Sequence, residues 1–366
     1  MASVKPGRSC SGLADLEVGM DFRLPCYRRE VFLRFYEFHT RYGTHPGLVY
    51  LVFPALAASA GWTVEQRLWF AFINGNTQNP VTTWRIFREF PVLADPSAMS
   101  GWWSENYARL AFDTDRRYHK KDFLRSVECY RRLIGARTQE EWFGLYTAGT
   151  PEENFRCLWP IVTKHFTTFG RLSSFSYLEY LAIMGLPVAC DRLFLDDQDG
   201  SRSHRNGLCK VLGRDDLDWH ESNPGFDGNY RPVLPWLVEE GRALLDEARA
   251  RAVGHPWAKH VGYFTLESAL CTYKSWHRPN RRYPNVYADM MVDRIRSSEA
   301  AWGDRLDVFW EARKVLPAHL RLEDNPRNPG CVPEQQNVYR LTGKVINMHH
   351  DWPCFANDFN RRVEAP

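Results

Sequence analysis

Residues Thr265 to Arg296, TLESALCTYKSWHRPNRRYPNVYADMMVDRIR, decide how the chain is read. In the first half, Glu267, Cys271 and Lys274 recur at i, i+4 and i+7, which sets all three on one face of a helix. Leu266, Ala269 and Leu270 take the apolar positions beside that stripe. The basic turn HRPNRR is broken by Pro279 and Asn280 and closed by Tyr283-Pro284. A second helix follows with Asp289, Asp293, Arg294 and Arg296. A carboxylate, a thiol and an ammonium on one face, then a cluster of arginines, read as an acid/base and anion-binding helical hairpin. The plainer reading of the same residues is a surface helix pair with ordinary ion pairs.

Outward from this hairpin the pattern stays helical. REVFLRFYEFHTRY, from Arg28, puts Val31, Phe32, Phe35 and Phe38 on one side. GLVYLVFPALAASAG is an apolar run that Pro54 kinks or divides. Thr63 and Gln66 form a capping box for TVEQRLWFAFI, which the breaker pair Asn74-Gly75 is expected to stop; a helix restarts near Pro80. Residues 151–186 hold two more helices, LPWLVEEGRALLDEARARAVG is amphipathic, and helices continue through AWGDRLDVFWEARKVL. There is no internal repeat and hardly any strand-like alternation. The fold class is mostly α and multi-helical. Residues 1–27 read as an arm, 28–316 as a helical catalytic domain divisible into lobes 28–186 and 187–316, and 317–366 as an irregular tail.

Composition bounds the partners. Among 366 residues the net charge is +3, with 44% apolar and 25% charged residues, as in a soluble globular protein. Nine cysteines lack a CxxC pair, which speaks against a zinc ribbon or a secreted disulfide frame. No N-terminal apolar run or membrane-length stretch occurs, so a reducing cytoplasm and no membrane partner are expected.

Two further stretches carry chemistry. Residues 113–137 bear eight Lys/Arg on a helix backed by Phe123, Leu124, Val127 and Tyr130, suited to tracking a phosphate backbone or simply a solvated face. Residues Cys190–Trp219 open acidic, then place Ser201, Arg202, Ser203, His204, Arg205 and Asn206 before a short helix, GLCKVLG. Hydroxyls and cations at a helix N-terminus favour an anion site over a capped loop. No P-loop, G-x-G-x-x-G, G-x-S-x-G, H-E-x-x-H or zinc-deaminase motif is present. No cofactor or metal ligand set is assigned; Asp196, Asp197 and Asp199 are carboxylates that could hold Mg²⁺, and His349-His350-Asp351 reads as surface.

The runs FINGNTQNPVTTWRIF, GSRSHRNGLCKVLG and TLESALCTYKSW…RRYPNVYADMMVDRI, within roughly residues 30–310, resemble the phage-encoded amino acid:DNA transferases. These are relatives of the α-glutamyl/putrescinyl-thymine pyrophosphorylases and of the helical domain of hydroxymethyluracil DNA kinases. The resemblance implies a helix-hairpin-helix DNA-glycosylase-like build, although no L-P-G-V-G hairpin occurs and MGLPVACDRLF departs from it. It implies phage thymine hypermodification in an infected bacterial host. An upstream hydroxymethyluracil DNA kinase makes a pyrophosphate ester, and the amine of glycine or serine displaces the pyrophosphate.

On that resemblance, Thr77, Gln78 and Asn79 would be the wedge that flips the base, and Arg116, Arg117, Lys120 and Lys121 part of the backbone track. Arg202, His204 and Arg205, with Lys274 or Arg282, would stabilise pyrophosphate. Glu267 or Asp289 would take the amine's proton, and Arg281 or Arg294 would hold the amino acid's carboxylate. Cys271 is either a nucleophile toward the ring, its thiolate assisted by Lys274, or a buried structural thiol. A base-excising glycosylase-like enzyme and a non-catalytic DNA-binding partner of the kinase are the alternatives.

Overall fold

Pro25 stands first in the N-terminal helix, where its missing N–H has no intrahelical partner to lose. The computed structural model describes residues 25–43, 48–196, 202–217, 231–277 and 290–316. Among them are fourteen α-helices and no strand. In chain order these are α1 (Pro25–Tyr42), α2 (Val52–Ser59), α3 (Val64–Thr77), α4 (Pro80–Glu89), α5 (Pro96–Asn106), α6 (Phe123–Ile134) and α7 (Gln139–Gly144). There follow α8 (Pro151–His165), α9 (Arg171–Ile183), α10 (Arg202–Val211), α11 (Leu234–Ala252), α12 (Tyr263–Trp276), α13 (Met290–Trp302) and α14 (Asp307–Ala312). The mostly α, multi-helical class is therefore observed. The arm and tail fall almost wholly outside the described residues.

Local chemistry accounts for many boundaries. The Thr63 side chain accepts the Gln66 N–H at 3.3 Å while Gln66 Oε1 accepts the Thr63 N–H at 3.0 Å, the reciprocal cap expected from sequence. Thr138 with Glu141 and Thr150 with Glu153 repeat it on α7 and α8. Pro54 lies in the first turn of α2, so it neither kinks nor divides that helix.

Three further expectations are corrected. First, α3 does not stop at Asn74-Gly75 but runs to Thr77. Gly75 is packed so closely that a Cβ there would stand 2.8 Å from Phe169 Cζ, and Asn74 Oδ1 accepts the Thr83 hydroxyl at 2.9 Å. Tertiary packing thus overrides the local breakers, and the chain turns instead at Gln78 (φ 51°), in the left-handed region. Second, residues 113–137 are two elements, a 3₁₀ helix over Thr114–Asp122 and then α6. Third, α10 begins at Arg202 rather than Gly207, because His204, Arg205 and Asn206 are buried within it.

Two apolar clusters organise the chain. One gathers α2–α9 with α13 and α14, with Trp69, Phe72, Tyr130 and Phe166 deep inside. The other gathers α1, α10, α11 and α12. These clusters cross the 186/187 division, since α1 packs with later helices and Met291–Ala312 with earlier ones. The line between them runs along α12. Phe264 joins the first cluster, whereas Leu266, Ala269, Leu270 and Tyr273 join the second. By helical period, Glu267, Ser268 and Cys271 share the Phe264 face and lie on the seam.

α10 meets α12 with backbone almost touching backbone at Gly207. A Cβ there would stand 2.2 Å from the carbonyl oxygen of Leu270. Gly207→Ala is therefore expected to destabilise the fold by about 1–3 kcal/mol or more in urea unfolding, because the obstructing atom is main chain. Gly101→Ala, on α5 with nothing within 4 Å, is the control and should be neutral or slightly stabilising.

Candidate active site

The α12 seam is built around a buried carboxylate. Glu267, 3% exposed, accepts both terminal nitrogens of Arg171, at 2.8 and 2.9 Å, in a bidentate pair. Arg171 opens α9, which brings the two helices face to face. His204, from the first turn of α10, stands with Nδ1 3.6 Å from Glu267 Oε1. Its Nε2 lies 3.2 Å from the Phe194 carbonyl, which can only accept, so Nε2 carries the proton. Nδ1 is then a buried lone pair without a hydrogen-bond partner. Burial outweighs the pull of Glu267 and lowers the His204 pKa, leaving a neutral imidazole beside a charged pair.

One turn along, Lys274 Nζ donates to Ser203 Oγ at 2.6 Å. Cys271 lies between. Its thiol is pushed up to about 12, first by burial and then by the Glu267 charge, and Lys274 does not compensate. The ground state is thus a thiol, and the thiolate that proximity to Lys274 suggested is not what the site holds at neutral pH.

A second buried carboxyl faces the seam from α9. Glu179, 7% exposed, accepts from the Tyr50 hydroxyl at 3.2 Å and from Ser268 at 3.5 Å. Tyr50 is in turn 2.8 Å from His39 Nε2, and His260 stacks on its ring. Burial, reinforced by the Glu267 charge, pushes Glu179 up to about 8. At neutral pH one carboxyl carries a proton while its neighbour is held against a guanidinium. Such paired, divergent environments are those of acid/base machinery.

The other sequence candidates are distributed unevenly. Arg205 is turned inward, its Nη1 donating to the Leu195 carbonyl at 3.0 Å. Thr77 is fully buried, bonded to Thr83 at 2.7 Å, and Asn79 caps α4 by accepting the Thr82 N–H at 3.0 Å. Gln78 keeps company with α9: its Oε1 accepts from the Tyr180 hydroxyl at 3.1 Å, while Nε2 is buried without a partner. Arg294 donates from Nε to Asp113 at 2.5 Å. Arg116 is 1% exposed and fixed to Asn76 and Thr168, so its guanidinium serves the interior rather than the surface. Lys120 donates to the Leu110 carbonyl at 2.5 Å, and Arg117 and Lys121 are exposed. Arg281, Arg282, Asp289, Asp197 and Asp199, and the side chain of Arg202, lie outside the described residues, whereas Asp196 is exposed. Among the described residues no three His, Cys, Asp or Glu side chains group as a metal site. No described helix is long and apolar enough to cross a membrane.

Sequence reading passed over Arg171 and Glu179. The available signal was a lone carboxylate inside the aromatic-aliphatic run FSYLEYLAI.

Glu179 gives a pH signature. The folded state keeps its proton up to about pH 8, whereas the unfolded chain loses it near 4.5. Its contribution is full below 4.5 and falls as pH rises to about 8, by about 1.4 kcal/mol per unit. His260, lowered to about 4 from 6.5, acts oppositely and only below 6.5. Between pH 6.5 and 8, Glu179→Gln should therefore flatten the fall in stability measured by urea unfolding. An unchanged slope would refute the protonated carboxyl.

Residues 52–282, more than half of the chain, match the family model described as amino acid:DNA transferase. That span takes in Arg171, Glu179, His204, Glu267 and Lys274 and stops short of Asp289 and Arg294. Over 356 residues the chain is 29% identical to a protein of Salmonella phage ViI named Serinyltransferase, covering 92% of this chain and 85% of the other. No solved structure matches it. The seam on α12 lies within the matched span, and the chain belongs to the amino acid:DNA transferase family.

Proposed function

We propose that this enzyme joins an amino acid, through its amine, to pyrophosphorylated 5-hydroxymethyluracil in DNA and releases pyrophosphate. The observation that carries the proposal is the conjunction on α12 of a carboxylate fixed by Arg171 and an ammonium tied to Ser203, one helical turn from a thiol and beside a neutral histidine. In the reaction the amine lone pair forms a C–N bond to the exocyclic CH₂ as the C–O bond to pyrophosphate breaks. The nitrogen must then lose a proton, and the leaving group must take up negative charge. Glu267 is the acceptor assigned to that proton, held in place by Arg171. Lys274, with Ser203, is the donor assigned to the leaving pyrophosphate. Glu179, protonated, orders Ser268 beside Glu267. Serine is favoured as the amine because the phage ViI relative is named for it; glycine differs only by lacking the hydroxymethyl group. An upstream kinase acting on hydroxymethyluracil is the partner this substrate requires.

The test is nucleoside mass spectrometry after digestion. Hydroxymethyluracil DNA treated with a cognate kinase and ATP, then with this enzyme and serine or glycine, should yield a thymidine derivative joined to that amino acid. The product should appear only when the kinase step is included. Glu267→Gln and Lys274→Ala are each expected to lower turnover by about 100-fold or more while leaving DNA affinity unchanged. Full turnover in both variants would overturn the assignment. Abasic sites would point to a glycosylase instead, and unchanged nucleosides with a working kinase would point to an accessory DNA-binding role.

A further inference from the structure

The 3₁₀ helix Thr114–Asp122 and the short turn Tyr107–Arg109 form a surface that the seam chemistry does not use. A three-residue period sorts the 3₁₀ side chains into faces. Arg116 points inward, while Arg117 and Lys120 share one outer row and Tyr118 and Lys121 the next. Tyr118 is 67% exposed and Tyr107 38%, two of the few large aromatic side chains left in solvent among the described residues. Each carries a cation. The Arg117 guanidinium lies 4.9 Å from the Tyr118 ring centre, and Lys120 Nζ lies 4.1 Å from that of Tyr107. Arg109 adds a further charge, 5.5 Å over Trp302. The nearby acids are partly engaged: Asp113 accepts from Arg294 and Asp122 lies 3.9 Å from His119, leaving Asp115 as the one opposing carboxylate exposed on this helix.

Exposed rings flanked by cations are the elements of a platform for unpaired nucleotides. A base stacks on the ring and its phosphates meet the neighbouring cations, with no sequence preference because every base has a π-face. The surface is also tied by backbone to the end of α3. Asp113 N–H donates to the Thr77 carbonyl at 2.9 Å, next to Gln78 and hence to Tyr180 on α9. We propose that Tyr118 and Tyr107, with Arg109, Arg117 and Lys121, bind an unpaired stretch of the DNA strand by stacking and phosphate contact. This rests on the reading of the enzyme as one that acts on DNA, and it assigns which surface grips the strand.

The test needs neither kinase nor amino acid, so it can fail or succeed apart from the transfer reaction. Binding of a labelled oligothymidylate strand, and of a duplex of equal length, is measured by fluorescence anisotropy across a salt series. Tyr118→Ala should weaken single-strand binding by about fivefold to a hundredfold, the loss of one stacked base, and duplex binding by less. Arg117→Ala with Lys121→Ala should lower the salt slope for the single strand by about 1.4, two phosphate contacts. Arg137→Ala, an exposed cation on another loop, controls for general charge loss. Single-strand affinity within twofold of the parent for Tyr118→Ala and Tyr107→Ala, with a double-variant slope equal to that of Arg137→Ala, would overturn the proposal. Equal losses on duplex and single strand would overturn the stacking role. Thermal unfolding of each variant separates lost binding from lost fold.

Discussion

The bidentate pair between Arg171 and Glu267 is the interaction on which the rest depends. Both groups are largely removed from water, and neither would be tolerated there alone. Their pairing fixes the start of α9 against the middle of α12, and so aligns the two apolar clusters across one polar seam. The charge left on Glu267 then conditions its surroundings. It adds to the burial that raises the Cys271 thiol and keeps the proton on Glu179, and it attracts an imidazole that burial nevertheless keeps neutral. One buried charge thereby modulates protonation states that burial chiefly determines.

The helical content was legible because capping boxes, Pro positions and a 3.6-residue period are local signals. The Thr63–Gln66 cap and the amphipathic run at 234–252 needed no tertiary information. Asn74-Gly75 misled for the opposite reason. Its local preference is real, but Phe169, nearly a hundred residues later, presses on Gly75 and holds the helix straight through it.

The site was legible on one side only. Glu267, Cys271 and Lys274 share a helix, so their common face could be read from spacing, and Ser203 and His204 do meet that face. Arg171 and Glu179 reach it through space, and spacing carries no trace of such a contact. Arg116 shows the limit of charge counting: within a basic run it looked like its neighbours, yet the tighter 3₁₀ period sends it into the core to tie Asn76 to Thr168. Gln78 is anchored by the Tyr180 hydroxyl on α9 rather than projecting as a free wedge.

Gly207 has a consequence for how the site keeps its dimensions. Where two helices are spaced by side chains, their separation varies with rotamers and can drift by an ångström. Here main chain abuts main chain, and the first turn of α10 delivers Ser203 to Lys274 and His204 to Glu267 from that fixed contact. The reach of Ser203 to the Lys274 ammonium and of His204 to the Glu267 carboxylate is therefore set by main-chain van der Waals contact, a gauge with little play. A residue with no side chain, and no chemistry of its own, holds the tolerance of the groups that have it.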